Sequence, residues 1–371
     1  MEKKTTTIYP YSKDDIQLFR YAKSLGDILP VYAVSPPGWG LIGKDVTSID
    51  GGKPSGIVIT ENLDSALQNS ELLVIASFEH YVGEEGGLKD TLETAIRYKK
   101  PFVLLSPPQT PEEQKTLDKA KQLDLLYYST GQDCQNIIDH TKLKNYCEDL
   151  KSPVTMIVGQ GPYTSKFEIQ IGVRNELIKR GYKVSQIGSR PYCELFGFHS
   201  FPSFMFSKEL DETQKIITFN NFVKQIEKDE EPDLLIIGVP GGIMPIFEKA
   251  HNNFGILHLE VAAAIEPDSV IYCLYSNSYS AQFYDKSTEM LYNRLNHAKT
   301  SCFIMSNSFI DYSAYSESKE LKIIKLDKVY YQIPDQQKDE PSLSIHEQNV
   351  FEKATDAVVT ALEGYNLVDH Y

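Results

Sequence analysis

The sequence predicts an α/β protein of two domains, a Rossmann-like doubly wound parallel sheet followed by a P-loop-NTPase-like α/β domain. Short apolar runs alternate with amphipathic helical patterns along the chain, which is the order of elements that parallel sheets require. The chain has 371 residues, enough for two hydrophobic cores. A loop that contains two glycines directly follows an apolar run near the middle of the chain, as in phosphate-binding folds.

The N-terminal domain is predicted to span residues 1–130. Its strands are expected at 7–9, 29–34, 56–59, 72–76, 101–105 and 125–128, and its helices at 14–25, 63–68, 90–98 and 111–122. The connection after the first strand reads YPYSKDD and has no GxGxxG, so an NAD-type cofactor is not supported. Glu79, His80 and the segment 82–87 follow a predicted buried strand, at the edge where such sheets bind ligands, although a lone histidine beside acids is more often a solvated loop residue.

A polar segment, residues 131–152, is predicted to be a linker, and the second domain is predicted to span residues 153–371. Its strands are expected at 154–158, 182–187, 233–238, 269–274, 302–305, 321–326 and 329–333, and its helices at 167–180, 211–228, 287–297 and 347–362. The first helix is expected to stop before Gly181, which follows two basic residues and suits a C-terminal cap.

The loop GQGPYTSK, residues 159–166, is the candidate phosphate site. A helix N-terminus presents backbone N–H groups and the positive end of its dipole to an anion, and a lysine adds a full charge. The candidate cofactor-binding residues are Gly159, Gly161, Thr164, Ser165, Lys166, Gly241 and Gly242. The expected ligand is ATP, GTP or coenzyme A; no catalytic residue and no metal ligand is assigned. The alternative is a βα turn that caps a helix and binds nothing.

The spacing of this loop differs from the ordinary phosphate loop. The ordinary motif places its lysine six residues after the first glycine, whereas Gly159 and Lys166 are seven apart. Phe167 stands where a Ser or Thr hydroxyl would hold Mg²⁺, and the predicted strand 233–238 ends in Gly238 where such enzymes carry an acidic residue. A role for Mg²⁺ is therefore doubtful. Glu248, His251, His258 and Glu260 follow without the fixed short spacing that would define a site.

Composition restricts the partners. The chain has 37 basic and 51 acidic residues and a formal net charge of −14, which argues against a nucleic-acid face and an anionic membrane surface. Five scattered cysteines without CxxC spacing indicate reduced thiols. No apolar run is long enough to span a membrane, and the N-terminus lacks the apolar core of a signal peptide. We therefore expect a cytoplasmic protein.

Two irregular regions are candidates for contact surfaces or pockets. Residues 189–207 contain five phenylalanines, so we expect them to meet the other domain, a second subunit or a peptide, with a homodimer interface as the first choice for a partner. Strands 269–274 and 302–305 are followed by YSNSY and SNSF, and strand ends rich in Ser and Asn are expected to line a polar pocket.

These motifs resemble two known families. The loop resembles that of dethiobiotin-synthetase-type proteins, in which the longer spacing is normal, except for Ser165 in place of a glycine and Phe167 in place of a Thr. The order of domains is similar to a family that joins a Rossmann-like domain to such a P-loop domain and includes amino-acid N-acyltransferases. In that family a Glu-Gly-Gln-Gly sequence is typical where this chain has residues 238–241, Gly-Val-Pro-Gly.

More closely, the chain resembles the clostridial peptide maturation system proteins of natural-product clusters, which accompany radical-SAM maturases, carrier-protein-like partners and small precursor peptides. The resemblance implies a role in making a modified peptide and leaves the reaction open. One interpretation is an enzyme that binds a nucleotide or coenzyme A and acts on an acyl or peptide substrate. The other is a non-catalytic adaptor or chaperone that binds a precursor peptide or carrier-like protein. Lys166 favours the first, and the missing acid and hydroxyl favour the second.

Overall fold

The computed structural model describes residues 2–78, 87–129, 144–247, 250–311, 322–325 and 341–363. The chain divides into two compact units, a first unit of Met1–Gln132 with Pro191–Gly197 and a second unit of Asp133–Arg190 with Phe198–Tyr371. Each unit has its own parallel β-sheet, which confirms the predicted two-domain α/β class. The domain limits drawn from the sequence at 130 and 152 stay predictions.

The first unit is built on five parallel strands in the order β2-β1-β3-β4-β5, one of the two common doubly wound orders. The strands are β1 (Lys4–Tyr9), β2 (Ile28–Ala33), β3 (Leu72–Ile75), β4 (Phe102–Leu104) and β5 (Leu126–Ser129). The helices are α1 (Ile16–Arg20), α2 (Leu63–Gln68), α3 (Leu88–Arg97) and α4 (Pro111–Gln122). All four residues of β3 are apolar and buried, as a parallel strand covered on both faces requires.

Two predicted elements of this unit are wrong. The helix expected at 14–25 is α-helical only in α1, because the carbonyl groups of Ala22, Lys23 and Leu25 bond to the Lys3 ammonium and 3₁₀ turns flank the short helix. The strand expected at 56–59 makes only isolated bridges, because the Asp45 carboxylate accepts hydrogen bonds from the backbone there and holds a turn. Residues 79–86, with Glu79 and His80, lie outside the described residues.

The second unit contains seven parallel strands in the order β14-β11-β10-β6-β9-β7-β8, and β12 pairs with β13 in an antiparallel ribbon. The strands are β6 (Val154–Gly159), β7 (Val184–Gly188), β8 (His199–Ser200), β9 (Leu234–Gly238), β10 (Ser269–Leu274), β11 (Lys299–Met305), β12 (Ser308–Ile310), β13 (Ile323–Lys325) and β14 (Ser342–Ser344). The helices are α5 (Lys166–Lys179), α6 (Glu212–Glu230), α7 (Ile256–Ile265), α8 (Ala281–Arg294) and α9 (Val350–Glu363).

Strand β6 lies at the centre of this sheet, between β9 and β10. Alternate residues of β6 enter different cores: Met156 and Val158 pack with residues of α6, α7 and α8, and Ile157 packs with residues of α5 and α9. The chain passes from β6 to β7 on one side and later to β10 on the other. Parallel sheets bind ligands at the carboxyl end of strands where the order reverses in this way. The fold therefore places Gly159, the last residue of β6, at such a point.

Several predicted elements of the second unit are corrected by the structure. Helix α7 was not predicted, and α8 begins six residues earlier than expected because the Ser280 side chain caps it. The strand predicted at 321–326 is the short β13, outside the main sheet, and the strand predicted at 329–333 lies outside the described residues. In the region described, no helix is both long and apolar enough to cross a membrane.

The segment predicted as a linker is described from residue 144 onward. There its backbone is held by side chains of α6: Asn221 accepts from Lys144 N at 3.1 Å, and Asn220 accepts from Glu148 N at 2.9 Å. Glu227 accepts from the backbone N–H of Ser152 at 2.8 Å. These side chains of α6 pair with backbone N–H groups of residues 144–152. The segment is therefore held along α6 up to the start of β6.

Candidate functional site

The loop between β6 and α5 turns sharply and enters the helix without a side-chain cap. Tyr163 and Ser165 adopt left-handed backbone conformations, with φ of 61° and 57°. Ser165 occupies the N-cap position of α5, and its side chain makes no capping hydrogen bond. Capping residues normally accept from the first backbone N–H groups of a helix. The Ser165 side chain therefore does not supply the acceptor that an N-cap residue ordinarily provides.

Lys166 is the first residue of α5, and its side chain folds back into the loop. The ammonium donates to the carbonyl oxygen of Gly161 at 2.8 Å and to that of Gly241 at 2.6 Å. The residue is only 7% exposed, and within the described ranges no carboxylate forms a salt bridge with it. Burial is the largest effect on the pKa of Lys166 and lowers it to about 8; Cys273 opposes this shift, and Arg190 adds to it. Within the described residues, the hydrogen-bond partners of this buried cation are thus two neutral carbonyl groups.

The glycines of the candidate set allow the loop to close around this lysine. A Cβ on Gly159 would overlap Thr164 Oγ1 and lie 2.8 Å from Lys166 Nζ, and a Cβ on Gly161 would overlap Tyr275 Oη. A Cβ on Gly242 would lie 2.7 Å from the Gly161 Cα. These three positions therefore require glycine for close approach of the backbone.

The structure brings all seven predicted site residues together. Gly159, Gly161 and Thr164 surround the Lys166 ammonium, and the Thr164 hydroxyl donates to the Gly161 carbonyl at 3.1 Å. Gly241 adopts a left-handed φ of 79° and presents its carbonyl to the lysine. The remaining members are Ser165 at the helix start and Gly242 against the loop backbone. Lys166 and Gly241, which are 75 positions apart in the sequence, thus meet at one end of the sheet.

Polar side chains from distant segments hold the loop from outside. Tyr275 donates to the Pro162 carbonyl at 2.6 Å, and Ser308 donates to the Tyr163 carbonyl at 2.6 Å. Tyr279 donates to the Gln160 side-chain oxygen at 2.9 Å. These residues belong to the YSNSY and SNSF segments, which were expected to line a polar pocket. Hydrogen bonds of this kind fix a binding loop in one conformation before a ligand arrives.

The two positions at which phosphate-loop enzymes bind Mg²⁺ have no ligand for it. Phe167 is buried and packs against Phe198, with 6.2 Å between the ring centroids. Gly238, the last residue of β9, lies against the side-chain amide of Gln170, which a Cβ at this position would overlap. Neither position offers the oxygen atoms that Mg²⁺ prefers.

His258 is a buried polar residue near the lysine that the sequence did not distinguish from its neighbours. It is 1% exposed, and neither ring nitrogen has a hydrogen-bond partner in the described part of the chain. Burial, together with the smaller effect of the charges of Lys166 and Arg294, lowers the pKa of His258 to about 3. The imidazole is therefore neutral at physiological pH. Of the other acids and histidines named above, Glu260 lies 3.9 Å from Lys215, and Glu248 is outside the described residues.

The aromatic segment 189–207 is largely covered by the chain itself. Phe196 and Phe198 are buried, and Phe201 and Phe204 pack against the core beside α6. Phe206, at 58%, is the one of these five phenylalanines that is mostly exposed. Most of the aromatic area of these residues is therefore covered within the chain, and a homodimer interface stays a prediction.

Comparison with solved structures relates the fold to known proteins. The chain is similar to the crystal structure of a DUF1611 family protein from Anabaena variabilis, with a TM-score of 0.52 and 12% sequence identity. The similarity covers 82% of this chain and 88% of that chain, so the two share a fold over most of their length.

Two further structures are more distant. One is a LAO/AO transport system kinase, with a TM-score of 0.30, 15% identity and coverage of 75% of this chain and 70% of that chain. The other is a nucleotide-binding protein from Archaeoglobus fulgidus in complex with ADP, with a TM-score of 0.28, 14% identity and coverage of 59% and 94%. Similarity at these TM-scores carries no structural argument. No protein-family model matches the chain, and no curated protein matches it. The resemblance to the clostridial peptide maturation proteins stays a prediction.

Proposed function

We propose that the chain binds a phosphate-bearing ligand of nucleotide or coenzyme A type at residues 159–166. The observation that carries this proposal is the buried Lys166 ammonium, which has two carbonyl partners and no carboxylate partner in the described residues. Removing a charge from water without an opposite charge is costly. A phosphate group would supply the opposite charge, and the N-terminus of α5, where the Ser165 side chain makes no capping bond, would favour its oxygens.

The proposed binding does not depend on Mg²⁺. A bound metal would need the hydroxyl and the carboxylate that Phe167 and Gly238 replace, and Phe167 is committed to packing in the interior. Lys166, the helix N-terminus and the nearby positive charge of Arg190 would together compensate the phosphate charge. ATP, GTP and coenzyme A are the ligands to compare, because each carries a polyphosphate or pyrophosphate group.

The finer part of the proposal concerns what the ligand is used for. The resemblance to clostridial peptide maturation proteins supports an enzyme that acts on a peptide or acyl substrate in the cytoplasm, with a precursor peptide, a carrier-like protein and a second copy of the chain as partners. The second candidate function is a non-catalytic adaptor or chaperone for such partners. Gly238 and Phe167 favour the adaptor, because a chain with these residues would still bind the ligand but would lack the groups for metal-dependent phosphoryl transfer. Release of phosphate or free coenzyme A during incubation with ligand and peptide distinguishes the enzyme from the adaptor.

The test of ligand binding is substitution of Lys166. Lys166→Met should weaken binding of the phosphate ligand about tenfold or more, since a charged hydrogen bond contributes roughly 1.5–3 kcal/mol. The matched control is Lys179→Met, at the exposed end of the same helix, which should bind as the parent does. Calorimetric titration with ATP, GTP and coenzyme A measures the affinities. Equal affinity of parent and Lys166→Met for every ligand would contradict the proposal.

The same variant distinguishes a binding role of Lys166 from a structural one. Lys166→Met removes a buried charge and keeps a similar side-chain volume, so the free energy of unfolding without ligand should be close to that of the parent. Thermal and urea unfolding measure it. A large loss of stability together with unchanged ligand affinity would mean that the lysine holds residues 161 and 241 together and has no ligand.

A further inference from the structure

The turn that precedes α7 has an unusual backbone. Asn252, Asn253, Phe254 and Gly255 are four successive residues in the left-handed region, with φ of 46°, 48°, 54° and 71°. Residues other than glycine rarely adopt this conformation singly, and a run of three is rarer still. Strained backbone of this kind persists only where the surrounding structure enforces it, and such sites are often functional.

Three sets of contacts enforce this turn. The Asn252 side-chain amide donates to the Met244 carbonyl at 2.7 Å and to the Gln160 carbonyl at 3.3 Å. Arg294 donates to the carbonyls of Ile243 at 3.2 Å and Phe254 at 3.1 Å. Gly255 sits so close to the backbone that a Cβ would overlap the Ile243 carbonyl. The turn is therefore a fixed structure, attached to the phosphate loop through Gln160.

The result of this turn is an exposed pair of aromatic rings. Phe254 is 59% exposed and stacks on His251, with 5.3 Å between ring centroids and 8° between ring planes. The His251 Nδ1 accepts from the Asn253 backbone N–H at 3.0 Å, which fixes the orientation of the imidazole. One face of the Phe254 ring meets His251, and its exposure leaves the other face to solvent. A phenylalanine held outward by strained backbone contributes little to the core.

We infer that His251 and Phe254 form a stacking platform for the aromatic base of the ligand whose phosphates bind at residues 159–166. Planar bases stack on aromatic side chains irrespective of base identity. The platform adjoins the loop, because Asn252 contacts Gln160 and the Cα atoms of residues 252 and 254 are at most about 7.6 Å apart. The phosphates and base of a nucleotide span a comparable distance. The ligand class is then a base-bearing nucleotide such as ATP, GTP or coenzyme A, whose base adds affinity to that of the phosphates alone. This inference rests on the proposed function.

The experiment compares ATP, GTP and coenzyme A with inorganic tripolyphosphate, which has no base. Phe254→Ala should weaken binding of the three base-bearing ligands roughly five- to a hundredfold and leave the affinity for tripolyphosphate unchanged. Phe254→Trp should retain the parent affinity for ATP, since it keeps an aromatic face. Phe206→Ala is the matched control, because Phe206 is 58% exposed in the same unit. It should bind all four ligands as the parent does.

The outcomes separate this inference from the proposed function. If Phe254→Ala binds ATP as tightly as the parent, or loses affinity for ATP and tripolyphosphate equally, the platform is wrong while the phosphate site stands. If the parent binds neither ATP nor tripolyphosphate, the proposed function fails and the inference fails with it. Selective loss for the base-bearing ligands, restored in Phe254→Trp, is the result that supports the platform.

Discussion

In both units a strand runs into a helical segment, but only the first segment begins with a side-chain cap, at the 3₁₀ turn of residues 13–15 that leads into α1. After β1, the Asp15 carboxylate accepts from the backbone N–H and the hydroxyl of Ser12 at 3.0 and 2.8 Å, and Ser12 in turn caps the helical turn. Tyr11, in the same connection, is fully buried and donates to the Val46 carbonyl at 2.6 Å. The acceptors at this helix start come from the chain itself.

After β6 the N-cap side chain supplies no such acceptor. Ser165 makes no capping bond, and Lys166 brings a positive charge to the helix end where an acid would be stabilising. Tyr9, the last residue of β1, is a buried aromatic residue, whereas Gly159 ends β6 without a side chain. Similar strand–helix connections thus differ in whether the chain's own side chains cap the helical segment that follows. Local rules that the rest of a fold follows, such as helix capping, are expected to be broken at binding sites.

The largest effect expected from this comparison follows from a methyl group on Gly159. A Cβ there would overlap Thr164 Oγ1 and press on the Lys166 ammonium, so Gly159→Ala should displace the lysine and lower ligand affinity more than tenfold. The cost to folding should be smaller, about 1–3 kcal/mol as for other overpacked sites. Titration calorimetry and urea unfolding measure the two quantities.

Gly87→Ala in the first unit is the control for this substitution. Gly87 starts α3 with an ordinary φ of −73°, and a Cβ there meets nothing within 4 Å. Its affinity for ligand and its stability should match those of the parent to within about 0.5 kcal/mol. Unchanged affinity of Gly159→Ala would show that the position of Lys166 is unimportant for binding and would remove the distinction between the two connections.

The next effect concerns pH. The pKa of Lys166 is about 8 in the folded chain and 10.5 when unperturbed, so between these values the unfolded chain binds more protons. The ligand-free protein should therefore gain stability as pH rises through this window. Anion affinity should change in the opposite direction, falling by up to about tenfold per pH unit above pH 8 as the ammonium loses its proton.

Calorimetric titration of ATP between pH 7 and pH 10 measures this dependence. The ATP phosphates are fully ionised over the upper part of the range and do not contribute to the fall. Lys166→Met should bind weakly and show no comparable pH dependence. A parent affinity that stays constant to pH 10 would mean that the Lys166 charge takes no part in binding.

A smaller effect tests the caps directly. Asp15→Ala should lower the free energy of unfolding by about 1 kcal/mol, because the backbone N–H and hydroxyl of Ser12 lose their acceptor. Ser165→Ala should cost only a few tenths of a kcal/mol, since no capping bond is lost. Urea unfolding of the two variants gives the comparison. Equal losses would show that the second helix start is capped like the first.

The smallest effect is the response to Mg²⁺. ATP affinity should change less than about twofold between excess Mg²⁺ and excess EDTA, because the positions of Phe167 and Gly238 supply no metal ligand. Parallel calorimetric titrations in the two buffers measure this ratio. Tight binding only in the presence of Mg²⁺ would place a metal at the loop and contradict the account of these two positions.

Local signals in the sequence were sufficient for the strand and helix that form the candidate site. The apolar run after Pro153 predicted β6 to within one residue of its end, and Gly181 correctly marked the end of α5, with φ of 93° after the last helical turn. The helix predicted at 211–228 begins within one residue of its expected start, where Asp211 forms a capping box. These features depend on neighbouring residues, which a single sequence displays directly.

Features that depend on distant contacts could not be predicted. Helix α7 is apolar around most of its circumference and so lacks the periodic pattern that identifies a half-buried helix. The left-handed turn before it is held by Arg294 and by the Gln160 carbonyl, residues about 40 and 90 positions away. The same holds for Tyr275 and Ser308 at the loop: their segments suggested a polar pocket, but nothing in the sequence indicated which loop they would contact.

The most direct test of the central claim is a crystal structure of the chain with ATP. In that structure Lys166 Nζ should leave the Gly241 carbonyl and contact a phosphate oxygen, and backbone N–H groups at the start of α5 should bind the same phosphate group. ATP bound elsewhere, with Lys166 Nζ still bonded to the carbonyls of Gly161 and Gly241, would contradict the proposed phosphate site.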